Sequence, residues 1–134
     1  MYPNTSSPIL SAYELLKRAK VVIEDPRQWC QGHFGYDADG NMCCASYHGC
    51  AKRCALGAVR YIVERDIDIT DQTVMHDRAV KLMRRSIFGN VTITDSVAKF
   101  NDKATHAQVM ELFDRAIKLA LNELTEGGVR PICE

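Results

Sequence analysis

A chain of 134 residues, 46% hydrophobic and 25% charged, has the length of one domain and the composition of a globular protein, which excludes a disordered polar chain. Lys plus Arg and Asp plus Glu number 17 each, so no global field draws it to nucleic acid or to an anionic membrane. No apolar run approaches the ~18–20 residues of a membrane-spanning helix, and residues 1–8 lack the basic and apolar regions of a secretory signal, so a cytoplasmic location is expected.

Residues 1–8, rich in Pro and Ser, read as a disordered tail ahead of a domain over 9–126. Ser11-Ala12-Tyr13-Glu14 has the form of a capping box. Ala12, Leu15, Leu16, Ala19, Val22 and Ile23 then recur at helical spacing until Pro26, whose ring forces the preceding residue out of the helical region, so a first helix spans about 11–24. Asp39-Gly40, flanked by Phe34, Tyr36 and Met42, signals a tight turn between Trp29 and Cys44, because both central positions of the favoured turn need positive φ; a short two-stranded hairpin is expected there. Trp29, the only tryptophan, is its natural anchor.

Ala51, Cys54, Ala55, Ala58, Val59 and Ile62 form one face of a second helix, made of residues small enough for close helix contact. Asp71 is placed to cap a third helix carrying Val74, Ala79, Leu82, Met83 and Ile87, with a left-handed stop at Gly89-Asn90. Val91 and Ile93 alternate with threonines as an extended piece, and Thr94 or Asp95 starts one or two turns through Phe100. Thr105-His106-Ala107-Gln108 repeats the capping-box pattern, and Val109, Leu112, Phe113, Ala116, Ile117, Ala120 and Leu124 hold the helical spacing up to Gly127-Gly128, after which 127–134 read as a tail. The fold expected is mainly α: a single-domain bundle of four main helices plus a short helix, with one small β-hairpin packed on it. The basic runs Lys17-Arg18 with Lys20, Lys52-Arg53, and Lys81 with Arg84-Arg85 read as solvated helix faces.

Six cysteines are expected to stay reduced in the cytoplasm, Cys133 at the exposed end being the readiest to oxidise. Cys43, Cys44, His48, Cys50 and Cys54 place four thiols and an imidazole within twelve residues, and tetrahedral zinc takes such ligands. The usual two-residue Cys knuckles are missing, and Cys54 belongs to a core-facing stripe. Ordinary small thiols are therefore the plainer expectation, and zinc the one candidate cofactor. Cys30 with His33, and Cys50 with His48, are local nucleophile pairs, but closeness in sequence does not make a thiolate. Asp37 to Asn41 is a turn and no calcium loop, since the twelfth position from Asp37 is His48 where a bidentate Glu is required. Trp29, His33, Asn101, Asp102 and His106 are the candidate ligand-binding residues, joining the hairpin to the turn before the last helix, whose N-terminus could attract an anion. The plainer account makes Thr105 a cap, Asn101-Asp102 a turn and His106 an exposed first-turn residue.

Three pieces together, Glu24-Asp25-Pro26 with Trp29 and Gly32, then Cys54-Ala55-Leu56-Gly57-Ala58, then Asn101-Asp102 with Thr105-His106 and Phe113-Asp114-Arg115-Ala116-Ile117, resemble in order and spacing a family of small unknown-function domains of bacteria and their phages. The resemblance covers nearly everything but the tails and implies a common fold without an activity. Of the four loop thiols, Cys54 alone falls on a family position.

The chain lacks a phosphate-binding Gly loop, a nucleophile elbow, a two-His metal helix and a paired-carboxylate site. No catalytic residue is assigned, and an interaction module is expected rather than an enzyme, perceived by a protein partner rather than a small molecule, in the manner of a phage or mobile-element accessory or inhibitor protein. No nucleic-acid or membrane partner is expected, and a homo-oligomer is left open. The alternatives are a small-ligand binder or enzyme at the hairpin and the 101–106 turn, and a zinc-stabilised domain using the 43–54 cysteines.

Overall fold

The computed structural model describes residues 10–89 and 96–129. Helix α1, Ala12–Val22, starts where Ser11 leaves the extended region and its Oγ accepts from the Glu14 N–H at 3.1 Å. Leu15, Leu16 and Ala19 are wholly buried along one face. The chain then enters a short 3-10 turn, Pro26–Gln28, capped by the Asp25 carboxylate.

A tight turn forms one residue earlier than expected: the Gly40 N–H bonds to Asp37 O at 3.0 Å, so Ala38 and Asp39 are its central residues, Gly40 follows with φ 86, and Asp37 Oδ1 accepts from the N–H groups of Asp39 and Asn41, both at 2.9 Å. Its hairpin is built differently from expectation. Strand β1, Gly35–Asp37, meets the segment after the turn only in a bridge from Tyr36 to Met42, and its ladder partner is β2, Cys50–Arg53, antiparallel with Gly35 opposite Arg53. Two chain reversals within residues 44–50 bring β2 back, with Tyr47 N–H on Cys44 O and Cys50 N–H on Tyr47 O, and the Cys54 N–H then binds Phe34 O at 3.1 Å. Ala51 consequently lies exposed on a strand rather than on a helix face.

Helix α2, Ala55–Asp66, is capped by Cys54, whose Sγ accepts from the Gly57 N–H at 3.3 Å. Ala55, Ala58, Val59 and Ile62 are fully buried, which lets α2 lie close to α1. Helix α3, Gln72–Arg85, follows a 3-10 turn, Ile69–Asp71. Asp71 stands at the N-cap position but makes no side-chain cap, because its backbone is already near-helical. Met75, Ala79, Leu82 and Met83 form the buried face, and Val74, one position out of phase with them, is 61% exposed. The helix ends before Gly89, with Ser86 Oγ donating to Leu82 O at 2.8 Å. The expectations for Asn90, Val91, Ile93, Thr94, Asp95 and Cys133 lie outside the described residues, as do 1–9 and 130–134.

Ser96 caps the short helix α4, Val97–Lys103, through the Lys99 N–H at 3.1 Å. Helix α5, His106–Val129, opens on a reciprocal capping box: Thr105 Oγ1 accepts from the Gln108 N–H at 3.2 Å, and Gln108 Oε1 accepts from the Thr105 N–H at 2.9 Å. Thr105→Ala removes one arm of it, so chemical denaturation should show a loss of about 1 kcal/mol. Val109, Leu112, Phe113 and Ala116 bury the facing side of α5, whereas Leu124 is 48% exposed.

Helices α1 and α3 each pack on both α2 and α5, and α4 closes against α2 and α3, so one continuous core runs from Leu15 and Leu16 through Ile62 and Leu82 to Phe113. The fold is thus the expected mainly helical domain of four main helices, one short helix and a two-stranded hairpin. Among the described residues no helix is long and apolar enough to cross a membrane.

Candidate functional site

The segment after the 3-10 turn, the start of α2 and the end of α4 meet at Asn101, which is 1% exposed. Its Oδ1 accepts from Trp29 Nε1 at 2.8 Å and from the Ala55 N–H at 3.0 Å. Its Nδ2 donates to Cys30 O at 3.0 Å and toward Asp102 Oδ1 at 3.4 Å. An amide offers two acceptor lone pairs and two N–H donors, so the side chain is saturated from within. Its backbone carbonyl is taken too: Gln31 Nε2 donates to Asn101 O at 3.0 Å and to Ala104 O at 2.9 Å. Asp102 Oδ1 also accepts from the Gly32 N–H at 2.8 Å.

His106 extends the same cluster. Its Nε2 lies 2.7 Å from Ile23 O at the end of α1. A carbonyl can only accept, so Nε2 carries the hydrogen and satisfies one of the carbonyls that a helix C-terminus leaves open. The half-buried Trp29 meets the His106 ring edge-on at 5.6 Å. Of the five candidate residues, Trp29, Asn101, Asp102 and His106 are therefore brought together. His33 faces elsewhere, its ring against Phe34 at 6.0 Å and Tyr36 at 6.1 Å.

The loop thiols are spread over different tasks. Cys54 is buried as the cap of α2, Cys50 Sγ donates to Lys52 O at 3.1 Å, and the Cys43 thiol is in hydrogen-bonding contact with Cys50. Cys44 is exposed, and the exposed His48 ring leans on Tyr47 at 5.0 Å. Among the described residues no three His, Cys, Asp or Glu side chains are grouped to hold a metal ion. Burial pushes the Cys30 thiol up to about 12 and raises Cys54 as well, and loss of surrounding water together with the Cys50 thiol pushes Cys43 up to about 11. All three are protonated near pH 7, whereas a nucleophile requires the thiolate. Cys30 Sγ donates to the backbone oxygen of His33 at 3.6 Å, so the sequence pair makes no thiol–imidazole contact through it.

A second feature was not legible in the sequence. Val74, Arg78, Lys81 and Arg85 recur every three or four residues on the outward side of α3 and face α5 across an open groove of about 520 Å³. Leu82 forms part of its floor, and Asp77 and Glu123 also line it. A hollow of about 270 Å³ adjoins it, sharing Arg78 and Glu123 and reaching Met75, Leu124 and Leu10. Glu123 lies 3.4 Å from Arg85 with both side chains half-exposed, while Arg78 and Lys81 have no carboxylate within 4.0 Å among the described residues. The signal available was the four-three-four spacing of one valine and three cations, masked because Val74 also fits a core stripe.

Comparison with known proteins adds one finding. Residues 8–119 match the profile of a family described as a family of unknown function, DUF6197. No curated protein and no solved structure matches the chain.

Proposed function

The chain belongs to the DUF6197 family, membership of which brings no activity with it, and we propose from its geometry that it works as a small interaction module presenting a surface to a protein partner. One observation carries this reading. The polar groups that could have formed a reacting or ligand-binding centre have their hydrogen bonds taken by the fold, with Asn101 saturated and His106 holding the end of α1, while the α3–α5 face leaves apolar side chains and cations turned to solvent. Exposed apolar side chains set among cations suit a protein-binding surface. In a phage or mobile element such a module would serve as an accessory or inhibitor protein.

A second reading has its own observation: Trp29 and His106 are in ring contact, and Asn101 links Trp29 to Asp102. A small ligand would have to be bound by Asp102, which is exposed, and by the ring edges, since Asn101 has no capacity left.

Affinity capture of the tagged chain from its native host, paired with native mass spectrometry of protein purified without chelator, separates the readings. The expected result is a protein retained near equal stoichiometry and a bare chain mass. A small molecule or zinc bound near one equivalent, with no protein retained, would sink the proposal in favour of the hairpin site or of a metal on the Cys43, Cys44, His48, Cys50 and Cys54 loop.

A further inference from the structure

Resting on the module reading above, we infer that the α3–α5 groove receives an acidic amphipathic helix of the partner protein, laid along α3 with its carboxylates against Arg78, Lys81 and Arg85. The dimensions fit such an occupant. Residues 74 and 85 stand about 16 Å apart along α3 at ~1.5 Å per residue, which is three turns of helix. Cations recurring every three or four residues along that length match carboxylates at the same spacing on a second helix, whose side chains on one face share that period.

Charge complementarity decides the sign of the partner. Arg85 shares Glu123, but Arg78 and Lys81 have no acidic partner within 4.0 Å among the described residues, so an incoming carboxylate gains a contact without breaking one. The apolar component decides its class. Val74 is 61% exposed beside the nearly buried Leu82 in the groove, and Leu124 is 48% exposed in the adjoining hollow, apolar side chains that leucines of an amphipathic helix would cover. A phosphate backbone would leave these apolar side chains wet, whereas a helix with one apolar face covers them.

The test uses the full chain labelled with ¹⁵N and three probes: a synthetic four-turn helix with leucines on one face flanked by glutamates, the same peptide with glutamine in place of glutamate, and single-stranded oligo-dT. The glutamate peptide should shift amides at 74–85 and 120–124 and bind roughly tenfold more tightly than the glutamine peptide at low salt, with the difference shrinking as salt screens it. The double variant Arg78→Glu, Lys81→Glu changes only exposed side chains, its melting temperature being measured alongside, and should bind the glutamate peptide roughly tenfold more weakly. Equal binding of the two peptides, shifts outside this face, binding of oligo-dT in preference to the peptide, or self-association of the chain abolished by the double variant would each overturn the inference. A captured partner that still binds the double variant would leave the module reading standing and remove this groove from it.

Discussion

Asn101→Ala should lower the free energy of unfolding by about 3–5 kcal/mol, the sum expected when three buried or half-buried partners lose their hydrogen bonds at ~1–3 kcal/mol each and partly recover them from water or from one another. The partners are Trp29 Nε1, the Ala55 N–H and Cys30 O, drawn from two separate stretches of chain, the segment after the 3-10 turn and the start of α2. Asn101→Asp is the informative companion. It keeps an oxygen for Trp29 and Ala55 but places a second oxygen against Cys30 O and Asp102, and a buried carboxylate in that position must either take a proton or repel both. Both variants should therefore move the urea midpoint down with little change in slope. Since Trp29 is the only tryptophan, its emission should shift to the red in the folded state of Asn101→Ala as the indole N–H turns to water. A midpoint loss worth less than about 1 kcal/mol would mean that the cluster is not what joins these segments.

What the sequence disclosed was local. The starts of α1 and α5 are written into Ser11 to Glu14 and Thr105 to Gln108, where the capping oxygen and the N–H that donates to it sit three residues apart, and the structure shows that bond at both starts and the reciprocal one at α5. Strand β2 was hidden because Cys50-Ala51-Lys52-Arg53 has no alternation of apolar and polar residues. Its place depends instead on a distant backbone bond, Cys54 N–H to Phe34 O, and on the bare Cα of Gly35, where a Cβ would sit 2.5 Å from Cys50 Sγ. Val74 was misplaced because helical spacing alone admits two adjacent phases, and the choice between Val74 and Met75 is made by where α2 and α5 lie. The candidate site was half legible. Asn101, Asp102 and His106 stood out as chemically capable groups before α5, but their partners lie about seventy or more residues back in the chain for Trp29, Cys30 and Gly32, and at Ile23 for His106. Sequence could show the groups and not that their bonding capacity was already filled. The groove was invisible for the same reason, since it belongs to neither α3 nor α5 alone.

Gly57→Ala should also destabilise, by about 2–3 kcal/mol, although helix propensity argues the other way. Replacing an interior helical glycine by alanine favours the helix by up to ~1 kcal/mol. Against that, a Cβ on Gly57 would meet Phe34 O well inside contact, with Phe34 C at 3.2 Å and Ala45 Cβ at 3.4 Å. The obstacle is backbone, which cannot rotate away as a side chain can, so α2 and the segment before β1 must separate. Forced overpacking of this kind costs ~1–3 kcal/mol or more. Separation also strains two bonds that share the contact, Cys54 N–H to Phe34 O at 3.1 Å and Gly57 N–H to Cys54 Sγ at 3.3 Å, so the cap of α2 loosens with the hairpin. The consequence is regional: amide exchange should quicken at 34–36 and 50–57 well before it does in α5, which packs chiefly on α1 and α3. An unchanged or raised melting temperature would show that the hairpin rides on α2 without being pressed into it, and the close approach at Gly57 would lose its role in fixing where β1 lies.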